Sequence, residues 1–156
     1  MSAIGVRSST NEIHYAIIKG SVVEPELIQY NKLSFPKAYT PPQALSWIRE
    51  QFGNIKHQFN IQSLFVRTIE PIARVSNKAI FERALIEGVL IEAANTFGIK
   101  VNYGPLATMS SLLETKAARH YMTADEFRGI DNWKKINEKY KEACISALCA
   151  LSMLEA

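Results

Sequence analysis

The stretch "AIGVRSSTNEIHYAIIKG", residues 3–20, decides how the chain is read. Ala3 to Arg7 is a short apolar run, Ser8 to Glu12 is polar, and Ile13 to Gly20 is rich in β-branched and aromatic residues. That pattern predicts a strand, a tight turn and a second strand. "ELIQYNKLSF" at 26–35 continues the same character, so three strands joined by short turns form an antiparallel meander. Pro25 is accommodated at a hairpin end, where no ladder donor is needed. The first strand closes on Arg7, a permanent charge at the end of an apolar run, and the function of the chain turns on that residue.

Beyond residue 35 the signal becomes helical. "YTPPQALSWIREQFG" carries Thr40 as N-cap, Pro41 in the first turn, Gln43 at the capping-box position and Gly53 as the stop. "IQSLFVRTIEP" at 61–71 reads as a buried strand running into a proline. A long helix follows from Ser76 to its stop at Gly98, with apolar residues covering more than one stripe, so it is expected to be buried on two sides. Gly88 in its middle costs roughly 1 kcal/mol relative to alanine and predicts close packing there. "IKVNYG" at 99–104 is a further short strand. Residues 105–130 are irregular, with helical pieces near 108–121 and a capping-box match at Thr123-x-x-Glu126. The last helix is expected from about Asp131 to Glu155, with Trp133, Ile136, Tyr140, Ala143, Cys144, Ala147, Leu151 and Leu154 on one face.

The chain has 156 residues, 47% hydrophobic and 21% charged, which is one globular domain with a substantial core. Its net charge of +3 permits nucleic-acid binding without requiring it. Lys134, Lys135, Lys139 and Lys141 read as a solvated helix face. Cys144 and Cys149 lie five residues apart in a helical stretch and point in different directions, so they are expected as buried thiols. No apolar run approaches membrane-spanning length and no signal-peptide pattern opens the chain, so a cytoplasmic protein is expected.

The order β-β-β-α-β-α-β-α predicts an α/β mixed sheet, three antiparallel strands then two parallel, with helices on both faces. Right-handed crossovers bring the carboxyl ends of the first and fourth strands together, at Arg7 and Glu70, in the kind of crevice where open α/β sheets bind ligands.

This order, and the local text, resemble the ribonuclease H-like fold as found in the RuvC-type Holliday-junction resolvases. "AIGVRSS" stands where that family has a hydrophobic strand ending in Ile-Asp-Pro-Gly. "LFVRTIEP" resembles its fourth strand, which ends in a catalytic glutamate, here Glu70. "ARVSNKAIFERALIEGVLIEAANTFGIKVNYGP" is similar to its long helix and fifth strand, "ETKAARHYM" with Lys116 to its Ala-x-Lys segment, and "KEACISALCALSML" to its final helix. The resemblance spans nearly the whole chain as a single domain, residues 1–156.

Activity in that family is two-metal phosphodiester hydrolysis with ions held by carboxylates. This chain has only two aspartates, Asp125 and Asp131. Arg7 replaces the first ligand, and residues among Ala143, Cys144, Ile145 and Ser146 fill the aspartate positions of the last helix. Glu142 or Glu138 substitutes only if the register shifts. Only Glu70 matches the catalytic set. Two readings of Arg7 stay open: an Arg7–Glu70 ion pair where metals would sit, or Arg7 turned to solvent with Glu70 capping the next helix.

The resemblance therefore implies a catalytically degenerate RuvC-like protein that needs no cofactor. It would act as a nucleic-acid-binding or non-catalytic accessory subunit, in recombination, a mobile element or phage defence, and as a homodimer. Arg7, Arg67, Arg74, Lys78, Lys116 and Arg119 are the candidate phosphate contacts. One alternative is an active nuclease with a rearranged site of Glu70 with Glu142 or Glu138 and Asp125 or Asp131, dependent on Mg2+. Another is a pure protein-interaction module. His14, His57 and His120 lack metal-ligand spacing, and Trp47 and Trp133 are expected as core or interface anchors.

Overall fold

In the computed structural model, which describes residues 1–70, 75–115 and 118–156, the meander is present. β1 (Ser2–Ser8), β2 (Glu12–Gly20) and β3 (Pro25–Ser34) lead into α1 (Pro41–Phe59), β4 (Ser63–Arg67), α2 (Asn77–Thr96) and β5 (Lys100–Gly104). Two short helices, α3 (Leu106–Leu112) and α4 (Ala118–Met122), and a single 3₁₀ turn (Trp133–Lys135) precede the last helix, α5 (Glu138–Glu155). The strands form one sheet in the order β3-β2-β1-β4-β5. β1–β2 and β2–β3 are antiparallel, and β1–β4 and β4–β5 are parallel.

Strand alternation divides the core in two. Ile4, Val6, Ile13, Tyr15, Ile17, Leu64 and Val66 face α1 and α2, where Ile48, Phe52, Ile86 and Leu90 close the layer. Ala3, Ala16, Ile18 and Phe65 face α5, over which α3, α4, Phe127 and Trp133 fold as an outer cover. Burying each of the larger apolar side chains in these layers contributes roughly 1.5–3 kcal/mol.

α5 is held unusually close to β1. A Cβ on Gly5 would overlap backbone atoms of Ala143, Ser146 and Ala147, so only glycine allows this approach. Ser63 Oγ on β4 donates to the Ala150 carbonyl at 2.7 Å and fixes the helix over the sheet centre. The cover explains why α5 is buried without interruption from Lys141 to Leu151 instead of along one face. Such a helix is buried all round because it has neighbours all round.

Several sequence expectations are corrected. α1 runs through Gly53 to Phe59, and its turn into the left-handed region falls on Asn60 (φ 52°). The Thr40–Gln43 capping box is formed. A Cβ at Gly88 would meet nothing within 4 Å among the described residues, so its place is open space and not a tight contact. No helix starts at Thr123, whose hydroxyl instead donates to the His120 carbonyl. The final helix begins at Glu138, capped by Asn137, which leaves Trp133 and Ile136 in the segment before it. Lys141 is not solvated: its Nζ donates to the Met122 carbonyl at 2.9 Å and lies 5.5 Å from the Trp133 ring. No helix among the described residues is long and apolar enough to cross a membrane.

Candidate functional site

The parallel pairing of β1 with β4 sets Arg7 directly beside Arg67 at the carboxyl ends of both strands. Alternation turns both side chains to the α5 face. Two neighbouring guanidinium groups repel, and a carboxylate from the first turns of α5 relieves this. Arg7 Nε donates to Glu142 Oε2 at 2.6 Å, and Arg67 Nη2 lies 3.4 Å from Glu142 Oε1. Arg67 Nη2 also donates to Glu70 Oε1 at 3.3 Å, and the same oxygen accepts the Leu106 N–H at 2.8 Å at the start of α3. Arg7 Nη1 donates to Ser9 Oγ at 2.7 Å.

The opposite face of the sheet edge carries a second cluster. Ser8, next along β1, donates through Oγ to Glu87 Oε1 at 2.8 Å, and Arg83 Nε donates to Ser8 Oγ at 3.4 Å. Arg83 and Glu87 stand one turn apart on α2, with Nη2 and Oε1 3.9 Å apart. Burial pushes the Glu87 carboxyl up from its ordinary range, against the opposing pull of the Ser8 hydrogen bond and the Arg83 charge. Burial likewise lowers Arg83, with Glu87 opposing.

Among the described residues, the crevice edge thus gathers Arg7, Arg67 and Arg83 with Glu70, Glu87 and Glu142, cations and carboxylates in equal number. Buried charges are tolerable only when paired in this way. The pairing is not complete in hydrogen bonds: Arg67 Nε and Arg83 Nη2 are buried with no hydrogen-bond partner among the described residues. Chemically, every carboxylate that reaches the crevice already lies against a guanidinium group. A divalent cation entering there would meet like charge at close range. Among the described residues no group of three or more His, Cys, Asp or Glu converges to hold a metal.

Neither of the two open readings of Arg7 is what the fold adopts: Arg7 pairs with Glu142, and Glu70 pairs with Arg67 and accepts the Leu106 N–H, while the next helix, α2, is capped by Ser76. The reason is register, since Glu70 lies three residues past Arg67 and folds back on it, while α5 delivers Glu142 to Arg7. Arg67 is 6% exposed, and its charge is directed at carboxylates. Lys78 and Arg119 are exposed on α2 and α4. Arg74 and Lys116 lie outside the described residues.

Glu138 is exposed at the start of α5, Asp131 is exposed, and Asp125 pairs with Lys134 on the surface at 3.5 Å. Ala143 and Ser146, two of the four residues expected at the aspartate positions, lie against β1 at Gly5. His14 packs edge-on against Tyr140 at 4.8 Å, and His120 against Tyr121 at 5.1 Å. Trp47 packs on Phe35, and Trp133 is buried in the core. Ser8, Arg83 and Glu87 were not among the residues expected at the site. Their signal was an Arg-x-x-x-Glu pair lying on the buried side of a helix, beside Ile86 and Leu90.

An α/β sheet of this order, with helices on both faces and its charged crevice at the ends of β1 and β4, is the ribonuclease H-like fold in its RuvC form. Thermus thermophilus RuvC in complex with a Holliday junction substrate superposes with a TM-score of 0.76 at 14% identity, over 99% of this chain and 96% of that one. A second Thermus thermophilus RuvC structure gives 0.75, also at 14% identity over 99% and 96% of the two chains. The yeast mitochondrial Holliday junction resolvase Ydc2 gives 0.60 at 9% identity, over 96% of this chain and 78% of that one. No protein-family model matches the sequence, and no curated protein matches it significantly.

Proposed function

We propose that the protein is a catalytically degenerate RuvC-like domain that binds nucleic acid as a homodimeric, non-catalytic subunit. The observation that carries this reading is the crossed ion network, Arg7 on Glu142 and Arg67 on Glu70 and Glu142. Two-metal hydrolysis needs cations between the carboxylates, the attacking water and the leaving oxygen. Here guanidinium groups take the cations' share of the charge balance. They supply neither a Lewis acid nor an activated water. The same network weighs against a rearranged nuclease site, because Glu70 and Glu142, the two carboxylates such a site would use, are already neutralised.

Binding survives this exchange, since backbone recognition depends on positive charge and not on metal chemistry. Among the described residues, Arg7, 19% exposed in its side chain at the mouth of the crevice, and the exposed Lys78 and Arg119 are the contacts open to a phosphate. The solved structure of a similar fold with a Holliday junction makes a four-way junction the first ligand to try.

Fluorescence anisotropy against four-way-junction, duplex and single-stranded DNA and RNA, across a salt series without metal, tests the reading. Binding is expected to weaken steeply with salt, with the slope reduced by about one in Arg119→Ala. Junction cleavage with Mg2+ that Glu70→Gln abolishes would overturn the degenerate reading. Absence of binding at low salt would overturn the nucleic-acid reading in favour of a protein-interaction module.

A further inference from the structure

The sheet has two outer edges, and they are finished differently. β5 is five residues long, and the Asn102 side chain accepts the Tyr103 N–H at 2.8 Å. β3 is ten residues long and has no strand beyond it. The Phe35 N–H donates to the Asn11 carbonyl at 3.0 Å, which sets the phase of the β2–β3 ladder. In an antiparallel pair the residues between bonded positions turn N–H and C=O outward, here Tyr30, Lys32 and Ser34. Beyond the register shift at Ile17/Ile18 the Ser21 N–H donates to the Glu24 carbonyl, and that phase turns Leu27 outward. The Lys32 N–H is held by the Asn31 side chain at 2.8 Å, as Tyr103 is by Asn102. An outward N–H that a side chain occupies is closed to a further strand, and a lysine on the edge opposes pairing as well. Among the described residues no side chain closes Leu27 or Tyr30 in this way.

The open half of β3 is also one wall of a groove. Residues 25–30 form that wall and residues 129–131 the other, around about 540 Å³. The second wall is tied in place, because Arg128 Nη1 donates to the Val22 carbonyl at 2.8 Å in the turn between β2 and β3. Gly129 (φ 72°) gives that wall a position without a side chain. Leu27 and Tyr30, the latter 43% exposed, supply apolar surface. The charged residues that line the groove are Glu26 and Asp131, both exposed carboxylates, and no Lys or Arg lines it. Lys19, the cross-strand neighbour of Glu26, stands outside the lining. On a chain of net charge +3 this is a local reversal of sign.

We propose that residues 25–30 of β3 accept an extended segment of another protein as a sixth strand, one in which apolar residues alternate with Lys or Arg. Backbone pairing at Leu27 and Tyr30 holds the segment, and its side chains select it. Its cations answer Glu26 and Asp131, and its apolar residues extend the surface of Leu27 and Tyr30. An acidic segment or a nucleic acid would bring like charge to both carboxylates. The groove lies toward the end of β3 away from the charged crevice, since Pro25 pairs with Gly20 and Ser34 with Glu12. The proposal therefore stands apart from the nucleic-acid and homodimer readings and is tested separately from them.

Anisotropy of a fluorescein-labelled octapeptide of alternating Lys and Val, titrated with the full chain, tests it. The peptide should bind, and one of alternating Glu and Val should not. A peptide of alternating Lys and Pro keeps the charge but cannot form a strand, and it should not bind either. Glu26→Lys combined with Asp131→Lys changes exposed residues, so it should keep a native circular dichroism spectrum while weakening the Lys–Val peptide roughly tenfold. Amide exchange at Leu27 and Tyr30 should slow when the peptide is added, with Lys32 and Tyr103 unchanged. No binding of the Lys–Val peptide overturns the proposal. So does equal binding of the Lys–Pro peptide, an affinity indifferent to the charge variant, or unchanged exchange at Leu27 and Tyr30. Self-association that the charge variant abolishes, with no peptide bound by the wild type, would put a second copy on this edge and overturn it too.

Discussion

An arginine at the end of the central strand cannot shed its charge, so the fold has to meet it with a carboxylate or turn it to water. Arg7 is met by Glu142, whose side chain is 9% exposed, and Arg67 shares the same carboxylate. Removing one member would strand another buried charge, which is why these residues act as a set. His14, on the same face of the neighbouring strand opposite Arg7, shows the opposite response to a crowded site. Burial lowers it from its ordinary 6.5. Glu12 opposes that shift, and Lys139, Arg7 and Lys32 add to it. The unfolded chain therefore takes up the proton first. The stability due to His14 is complete above pH 6.5 and is lost as pH falls from there through the lowered folded value. Glu87, whose folded value is raised from 4.5, acts with the other sign, losing stability as pH rises through that raised value. Thermal melts between about pH 7.5 and about pH 5.5 should show a melting temperature that declines with acidity, with a shallower decline in His14→Gln. An identical slope in the variant would assign the decline to other groups.

At the scale of elements, the contact that positions the crevice is α5 on β1. Glu142 reaches Arg7 because α5 lies against the strand backbone, and it lies there because Gly5 has no side chain. Gly5→Ala would press a methyl group into main-chain atoms of Ala143, Ser146 and Ala147, which cannot rotate away. The expected loss is on the order of 4 kcal/mol or more, measured as a shift of the urea midpoint or as failure to fold. A loss under about 1 kcal/mol would mean that α5 slides easily over the sheet. α1 shows which element features are local: its capping box is written in Thr40 and Gln43 and forms as read. Gly53 does not end that helix: the left-handed turn is carried by Asn60, and a Cβ at Gly53 would meet the Phe97 ring at 3.4 Å.

At the scale of the molecule, the described residues of the sheet edge set guanidinium groups against carboxylates on both faces of the sheet. A ligand that binds only the folded state raises the melting temperature by mass action, so millimolar Mg2+ or Mn2+ is a direct probe of the whole protein. The expected result is no rise for either ion. A rise of several degrees that Glu70→Gln or Glu142→Gln removes would show that a metal displaces the arginines, and would revive the rearranged nuclease. The stability of the network depends on both faces of the sheet. α5 supplies Glu142 to one side, and α2 supplies Arg83 and Glu87 to the other.

The order of elements, the antiparallel meander, the crossovers after it and the crevice at the ends of the first and fourth strands are legible in the residues alone. Those follow from hydrophobic period, caps and the handedness of connections, all of which are local or generic. Arg7 and Glu70 at that crevice are legible there too. Which charge meets which is set by the packed fold. Glu142 is brought to Arg7 from the far end of the chain by the depth at which α5 sits on Gly5, and Arg83 and Glu87 are brought to Ser8 by the rotation of α2 about its axis. Depth and rotation are set by packing among all the elements at once, and no short stretch of sequence encodes them.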